Sequence, residues 1–214
     1  MMACWQYFVL PLPFSCGQPC YRAYLLMNQS FPTLLTPRLQ LREITLDDVP
    51  ALLPVFADAE AMRWFGTDPV CDQARMAQVV ALWQGWRQLP NPGTRWGIAL
   101  REGGPVLGTC GLFAWNRGWR RCTLGYELGR AAWGQGYMQE ALQAVLAWGF
   151  ADMGLHRVDA CIHPDNAASL KLARKLGFVE EGRLRDAGYW LGQYHDLLQF
   201  SLLQTEFAAP PVLR

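Results

Sequence analysis

The segment Leu124-Gly125-Tyr126-Glu127-Leu128, then Trp133-Gly134-Gln135-Gly136-Tyr137-Met138, then Glu140 and Ala141, carries the most chemistry in this chain. It reads as a strand that runs into a glycine-containing turn, with a helix opening directly after it. Such a turn presents backbone N–H groups that have no intrahelical partner, and the helix dipole adds positive potential. That combination suits a phosphate or pyrophosphate, and glycine lets the ligand come close to the backbone. Taken alone, two glycines before a helix are equally compatible with a merely tight loop. Rival phosphate loops can be tested residue by residue. A dinucleotide fingerprint needs a small residue three positions after the second glycine, where Gln139 stands, and a P-loop needs Gly-Lys-Ser/Thr, which is absent. Cys4, Cys16, Cys20, Cys71, Cys110, Cys122 and Cys161 form neither a disulfide framework nor paired zinc knuckles, and His156, His163 and His195 are far from Cys16 and Cys20. No metal site is expected, and a reducing compartment fits best.

The elements that must position this turn follow from pattern. Leu39, Leu41 and Ile44 mark a first strand; Asp47-Asp48-Val49-Pro50 opens a helix to about Ala61, with its carboxylates at the favoured end. Asp72 caps a second helix, in which Met76, Val79, Val80, Trp83 and Trp86 recur until Pro90-Asn91-Pro92-Gly93. Residues 96–100 and 106–115 read as a hairpin around Glu102-Gly103-Gly104-Pro105, and Cys122 to Leu128 adds a third strand. Tyr137 to Met153 is an amphipathic helix with Gly154 as its C-cap. A strand from Arg157 to Ile162, a helix from Pro164-Asp165-Asn166 through Leu176, and two strands joined around Gly192 complete a mixed α/β sheet. No second domain is needed.

Three further stretches make the pattern specific. An opening Leu35-Thr36-Pro37-Arg38-Leu39-x-Leu41-Arg42 precedes the W-G-x-G-Y loop at 133–137. Asn166-Ala167-Ala168-Ser169 and Lys175-Leu176-Gly177-Phe178-Val179-Glu180-Glu181-Gly182 follow it. In this order, over about Leu34 to Phe207, the chain resembles the GNAT superfamily of acyl-CoA-dependent N-acyltransferases. Within it, the chain is most similar to the branch of the ribosomal-protein N-terminal alanine and serine acetyltransferases. The resemblance implies a mostly antiparallel central sheet of about seven strands with flanking helices. It also implies acetyl-CoA as co-substrate, no metal, and direct attack by a primary amine in a ternary complex.

The cofactor site implied by the resemblance comprises Leu128, Trp133, Gly134, Gln135, Gly136, Tyr137, Met138, Asn166, Ser169 and Arg174. The pyrophosphate would lie on Gly134–Met138 and the pantetheine arm along 124–128, in a cleft between splayed strands. Lys171 and Lys175 share the last helix with Arg174. Met138 stands where the family usually has Gly or Ala, so its side chain must point away from the ligand. The reaction needs a base for the amine and an acid for the departing thiolate. Glu127, beside the expected thioester, is the candidate base, and Ser169 of N-x-x-S is the candidate acid. The tyrosine that many members carry on the last helix corresponds to Ala173. The carboxylate of ribosomal-type relatives would fall at Gly188, leaving Asp186 and Glu43 as reserves. His195 is expected to be a structural strand residue.

The chain has 19 Lys+Arg against 18 Asp+Glu, and that balance excludes a broad basic face for nucleic acid or anionic membrane. No apolar run reaches the roughly 18–20 residues that span a bilayer. Residues 1–33 differ from the rest, with Pro11, Pro13 and Pro19 breaking any helix and no basic residues before the apolar stretch from Tyr7 to Phe14. They read as a disordered extension or an upstream start, with Met27 opening the native chain, and residues 208–214 as a tail. A cytoplasmic monomer or homodimer is expected. The acceptor stays open between a protein N-terminal α-amine and a small amine such as an antibiotic, amino acid or polyamine. A non-catalytic acyl-CoA-binding module is the competing class, kept open by Ala173 and Gly188. Of the ten Trp, Trp5 lies in the leading segment and Trp133 marks the cofactor loop. Trp115, Trp119 and Trp133 cluster where an acceptor could lie, Trp115 fits core packing as the end of an alternating strand, and the others are split between core and acceptor groove.

Overall fold

The computed structural model describes residues 30–208. Leu39 and Leu41 alternate with Gln40 and Arg42, so one side of β2 (Leu39–Glu43) is wholly buried and the other faces outward. Ahead of it, β1 (Leu34–Leu35) pairs antiparallel with Leu41 and Gln40, which raises the expected seven or so strands to eight. Phe31 and Pro32, assigned by sequence to the extension, pack on the core: the Trp96 indole N–H donates to the Pro32 carbonyl at 2.7 Å, and Phe31 meets its ring edge-on. Residues 1–29 and 209–214 lie outside the described residues.

The helix expected from Asp47 to Ala61 forms in two pieces, α1 (Val49–Phe56) and α2 (Ala59–Met62). Asp58 divides them because its carboxylate accepts from the Glu60 and Ala61 N–H groups and starts a new helix. Asp72 caps α3 (Gln73–Gly85) as expected, accepting from Arg75 N at 2.7 Å. The meander β3 (Thr94–Leu100), β4 (Gly108–Asn116) and β5 (Arg121–Leu128) is antiparallel throughout. Then α4 (Tyr137–Ala151) crosses to β6 (Arg157–Ile162), parallel to β5. After α5 (Ala167–Lys175) the long hairpin β7 (Val179–Trp190) and β8 (Gln193–Leu203) closes the sheet in the order β1-β2-β3-β4-β5-β6-β8-β7.

Alternation along these strands builds a core on each face. Toward α4 and α5 lie Leu39, Leu41, Trp96, Ile98, Leu112 and Leu124, packed on Leu142, Val145 and Leu146. Toward α1 and α3 lie Ile44 and Val106, packed on Leu52, Phe56, Met76, Val80 and Trp83. Full burial of each such side chain contributes about 1.5–3 kcal/mol, so tertiary packing rather than propensity holds the short helices. Trp96, Trp115 and Trp190 are fully buried, whereas Trp119 and Trp133 are exposed.

Candidate active site

The loop after β5 is built by its own side chains. Arg130–Ala132 makes one tight helical turn, the Trp133 indole N–H reaches back to the Leu128 carbonyl at 2.7 Å, and the Gln135 amide donates to the Ala131 carbonyl at 3.1 Å. Gly134 and Gly136 then take φ of 73° and 78°, left-handed values that cost a residue with a Cβ about 1–2 kcal/mol. Gly136 is the N-cap of α4 and no side chain caps it, which leaves the first-turn N–H groups facing outward. Met138 is buried in the core with Leu142, so its side chain does point away from the loop.

The opening motif explains itself here. Thr36 Oγ1 donates to Glu140 at 2.6 Å, and Arg38 binds the same carboxylate through its backbone N at 2.9 Å and its Nε at 2.7 Å. Arg38 Nη1 also donates to the Gln135 carbonyl at 2.9 Å. Because C=O and N–H point opposite ways across a trans peptide, this bond turns the Gly136 N–H away from Arg38, toward the outside of the loop. Burial works to raise the Glu140 pKa, but the bonds from Thr36 and Arg38 prevail and hold its carboxyl below the ordinary range. The sequence drew no role for Arg38 and Glu140; their spacing across 102 residues is legible only once β2 lies beside α4.

Beside this loop the sheet opens. β5 and β6 pair only from Arg121↔Arg157 to Thr123↔Asp159, while β5 continues to Leu128 paired with β4 on its other side, and β6 continues to Ile162 paired with β8. The backbone of Leu124–Leu128 therefore keeps an edge unpaired by β6. Buried Asp159 pins the closed end, bonded by Arg121 and by Arg157 Nε at 2.8 Å, and Arg157 also pairs with Glu181.

Glu127 lies in this stretch, on the face opposite α4. It is buried, one oxygen bonded by Arg95 and the other by the Thr109 hydroxyl. The Arg95 guanidinium is itself buried, 4.6 Å above the Trp83 ring. Burial pushes the Glu127 carboxyl above its ordinary range, and Arg95 and Thr109 pull against this without cancelling it. The carboxylate is thus no solvated strand residue, and to take a proton from an amine it would have to give up one of two buried bonds.

Across the split, α5 begins at Asn166, whose side-chain oxygen accepts from Ser169 N at 3.1 Å. That cap uses the Asn166 oxygen and not its amide N–H groups, and the Ser169 hydroxyl takes no part in it. Ser169 instead faces Tyr126 of β5, on the same side of the sheet. The Tyr126 hydroxyl is out of contact with solvent and has no hydrogen bond of ordinary geometry. Burial raises its pKa, and the approach of Ser169 opposes that rise. Arg174 lies two turns further along α5, half-exposed, and bonds Glu180 at 3.1 Å rather than meeting the loop.

A family model described as an acetyltransferase (GNAT) domain matches residues 38–179. The chain belongs to the GNAT acetyltransferase family. The uncharacterized N-acetyltransferase p20 of Bacillus licheniformis is 34% identical over 176 residues, which cover 82% of this chain and 98% of that protein. Among solved structures, RimL, a ribosomal L7/L12 alpha-N-protein acetyltransferase, matches with a TM-score of 0.72 at 24% identity, over 82% of this chain and 96% of that one. The spermidine N-acetyltransferase of Vibrio cholerae matches with a TM-score of 0.70 at 19% identity, over 80% and 98%. The eight-stranded, mostly antiparallel sheet with flanking helices is the fold of these GNAT structures, and the protein is an acyltransferase.

This GNAT domain departs from the expected residues for visible reasons. Ala173 is buried in the core under α5. Gly188 is forced: a Cβ there would lie 2.4 Å from the Trp190 ring, which folds back over that position. Of the reserve candidates, Asp186 donates its N–H to Asp196 on the hairpin; His195, expected as a structural strand residue, is buried against Trp190. Glu43 ends β2. Among the described residues no group of His, Cys, Asp and Glu could hold a metal ion, and no helix is long and apolar enough to cross a membrane.

Proposed function

We propose that the protein moves an acetyl group from acetyl-CoA to a primary amine by direct attack, the acceptor being a protein N-terminal α-amine of the ribosomal-protein type. One observation carries the transferase reading: an open β5 edge runs directly into a loop of two left-handed glycines, clamped from behind by Arg38 and Thr36. These residues fit an acyl-CoA. The first-turn N–H groups of α4, with Trp133, Gly134, Gln135, Gly136, Tyr137 and Met138, would hold its pyrophosphate; the Leu124–Leu128 edge and the Asn166 amide would hold its arm. Acetyl-CoA supplies an acyl group activated as a thioester.

The chain's own groups would then act as follows. A backbone N–H of β5 donates to the carbonyl oxygen under attack. Ser169, backed by the Tyr126 hydroxyl, delivers a proton to the departing sulfur, a role the buried phenol can take in place of the tyrosine missing at Ala173. Glu127 keeps both its bonds and serves as the counter-charge of Arg95, and the amine's proton leaves through water. A peptide acceptor is supported by the exposed apolar and aromatic side chains of the β7–β8 hairpin, Tyr189, Leu191 and Tyr194, and by the relatives named for ribosomal proteins. Thiol release from acetyl-CoA, measured with peptides beginning in Ala or Ser and with a panel of polyamines, amino acids and aminoglycosides, tests both levels. Turnover only with small amines would remove the peptide reading; tight CoA binding without thiol release on any amine would favour a non-catalytic module.

A further inference from the structure

Two of the three histidines come together at the open end of the split. His163 follows β6 directly, three residues before Asn166, and His195 lies on β8 opposite Gly188. His163 Nε2 and His195 Nδ1 are 3.3 Å apart. The outer nitrogens are also engaged: Asp165 N–H donates to His163 Nδ1 at 3.1 Å, and His195 Nε2 lies 3.2 Å from the Trp190 carbonyl. A carbonyl can only accept and a backbone N–H can only donate, so one arrangement satisfies every contact. His163 is neutral with its hydrogen on Nε2, donating to a bare His195 Nδ1, and His195 carries its hydrogen on Nε2. A further proton has no place. On His163 Nδ1 it would face the Asp165 N–H, and on His195 Nδ1 it would face the His163 Nε2–H.

Indoles close both ends of the pair. Trp64 stacks on His163 at 4.0 Å and 19°, and Trp190 stacks on His195 at 3.7 Å and 14°. Trp190 also donates its Nε1–H to the Arg63 carbonyl at 3.0 Å, and Leu191 N donates to Asp68 at 2.7 Å. The cluster therefore joins three pieces distant in sequence: the start of α5, the tip of the β7–β8 hairpin, and the segment 63–68. Phe65 of that segment, and Met62 just before it, pack with the core on the α1 and α3 face, opposite the α5 side. The charged groups around the pair come from each of these pieces. Asp165 lies 3.9 Å from His163, Arg63 lies over Trp64, and Asp196 follows His195 on β8, bonded to Arg183. Burial, then His195 and Arg63, oppose a charge on His163 more than Asp165 and Asp196 favour it, and its pKa is lowered.

We infer that the His163–His195 pair is a positioning device: while both rings are neutral it holds the wall made by Trp64, residues 63–68 and the hairpin tip against the start of α5, and a proton taken by either ring releases that wall. The wall includes the hairpin tip with its exposed Tyr189, Leu191 and Tyr194, so under the acetyltransferase reading, on which this part rests, it borders the acceptor. Acid should then weaken acceptor binding and leave acetyl-CoA binding in place.

The test uses the whole protein. Imidazole 15N spectra at neutral pH are expected to show both rings as neutral Nε2–H tautomers, and tryptophan emission is expected to change on acidification together with loss of that pattern. An Nδ1–H tautomer or a cationic ring at neutral pH would overturn the inference, whatever the enzyme acetylates. In turnover, the acceptor KM expressed for the neutral amine, so that the acceptor's own protonation is divided out, should rise about tenfold in the wild type on acidification while the acetyl-CoA Kd stays level. His163→Gln keeps a donor toward His195 and can turn its amide oxygen to accept if His195 takes a proton, so no proton breaks the contact and its neutral-amine KM should be flat with pH; His163→Leu should raise it throughout. An unaltered acid dependence in His163→Gln would refute the device. If no amine is acetylated, the activity reading fails, and the spectra still decide the pair.

Discussion

The buried ion pair Arg95–Glu127 makes the strongest quantitative demand on this structure. Replacing Arg95 by Met removes a guanidinium that bonds Glu127 and Thr109 and stacks on Trp83, and leaves a carboxylate in the core with only the Thr109 hydroxyl. Breaking one side of such a pair costs about 3–5 kcal/mol. For a domain of this size each kcal/mol lowers Tm by about 2–4 °C, so a fall of roughly 6–20 °C is expected near pH 8. The pH dependence has a definite sign. Burial already holds the Glu127 pKa above its unfolded value, and losing Arg95 raises it further. A raised carboxylate contributes stability that is fully present below the unfolded pKa and is lost as pH rises through the folded one. Arg95→Met should therefore lie closer to the wild type at pH 5 than at pH 8. Arg95→Met/Glu127→Leu, which removes both charges, should recover most of the loss. Thermal unfolding across that pH range reads all three proteins. A Tm for Arg95→Met within about 2 °C of the wild type at pH 8, or a double variant no better than the single, would refute the reasoning.

Glu127→Gln should leave the alkaline rise of kcat/KM in place; its disappearance would make Glu127 the base. Ser169→Ala and Tyr126→Phe should each lower kcat about 10–100-fold with acetyl-CoA affinity nearly unchanged, and the double variant should lose little more, as members of one proton path do. Additive losses would separate the two residues. Arg38→Gln frees the Gln135 carbonyl and half of the Glu140 clamp, and should raise the KM for acetyl-CoA about tenfold, the worth of one charge-assisted hydrogen bond, with kcat largely kept. Gly188→Asp, which places a carboxylate where the family resemblance implies one, should destabilise the hairpin and give no gain in rate, because its Cβ would overlap the Trp190 ring. A faster enzyme would show that the ring moves aside.

Local chemistry was enough for the sequence to place most elements. Gly192 marked the hairpin turn, Asp72 the start of α3, and Gly136 the start of α4, since caps and left-handed turns need particular residues whatever surrounds them. The four motifs likewise pointed to the family. Sequence could not show which residues meet across the fold. That Thr36 and Arg38 hold Glu140, that Arg95 and Thr109 occupy both oxygens of Glu127, and that Ser169 faces an unpartnered Tyr126 depend on strand register and on the face each residue takes. Gly188 shows the same division. Its lack of an acid was visible from the residues alone, but the reason, an indole folded over it and stacked on His195, arises only when β7 and β8 pair. Backbone conformation is set by neighbours in sequence, whereas burial, pairing and pKa are set by neighbours in space.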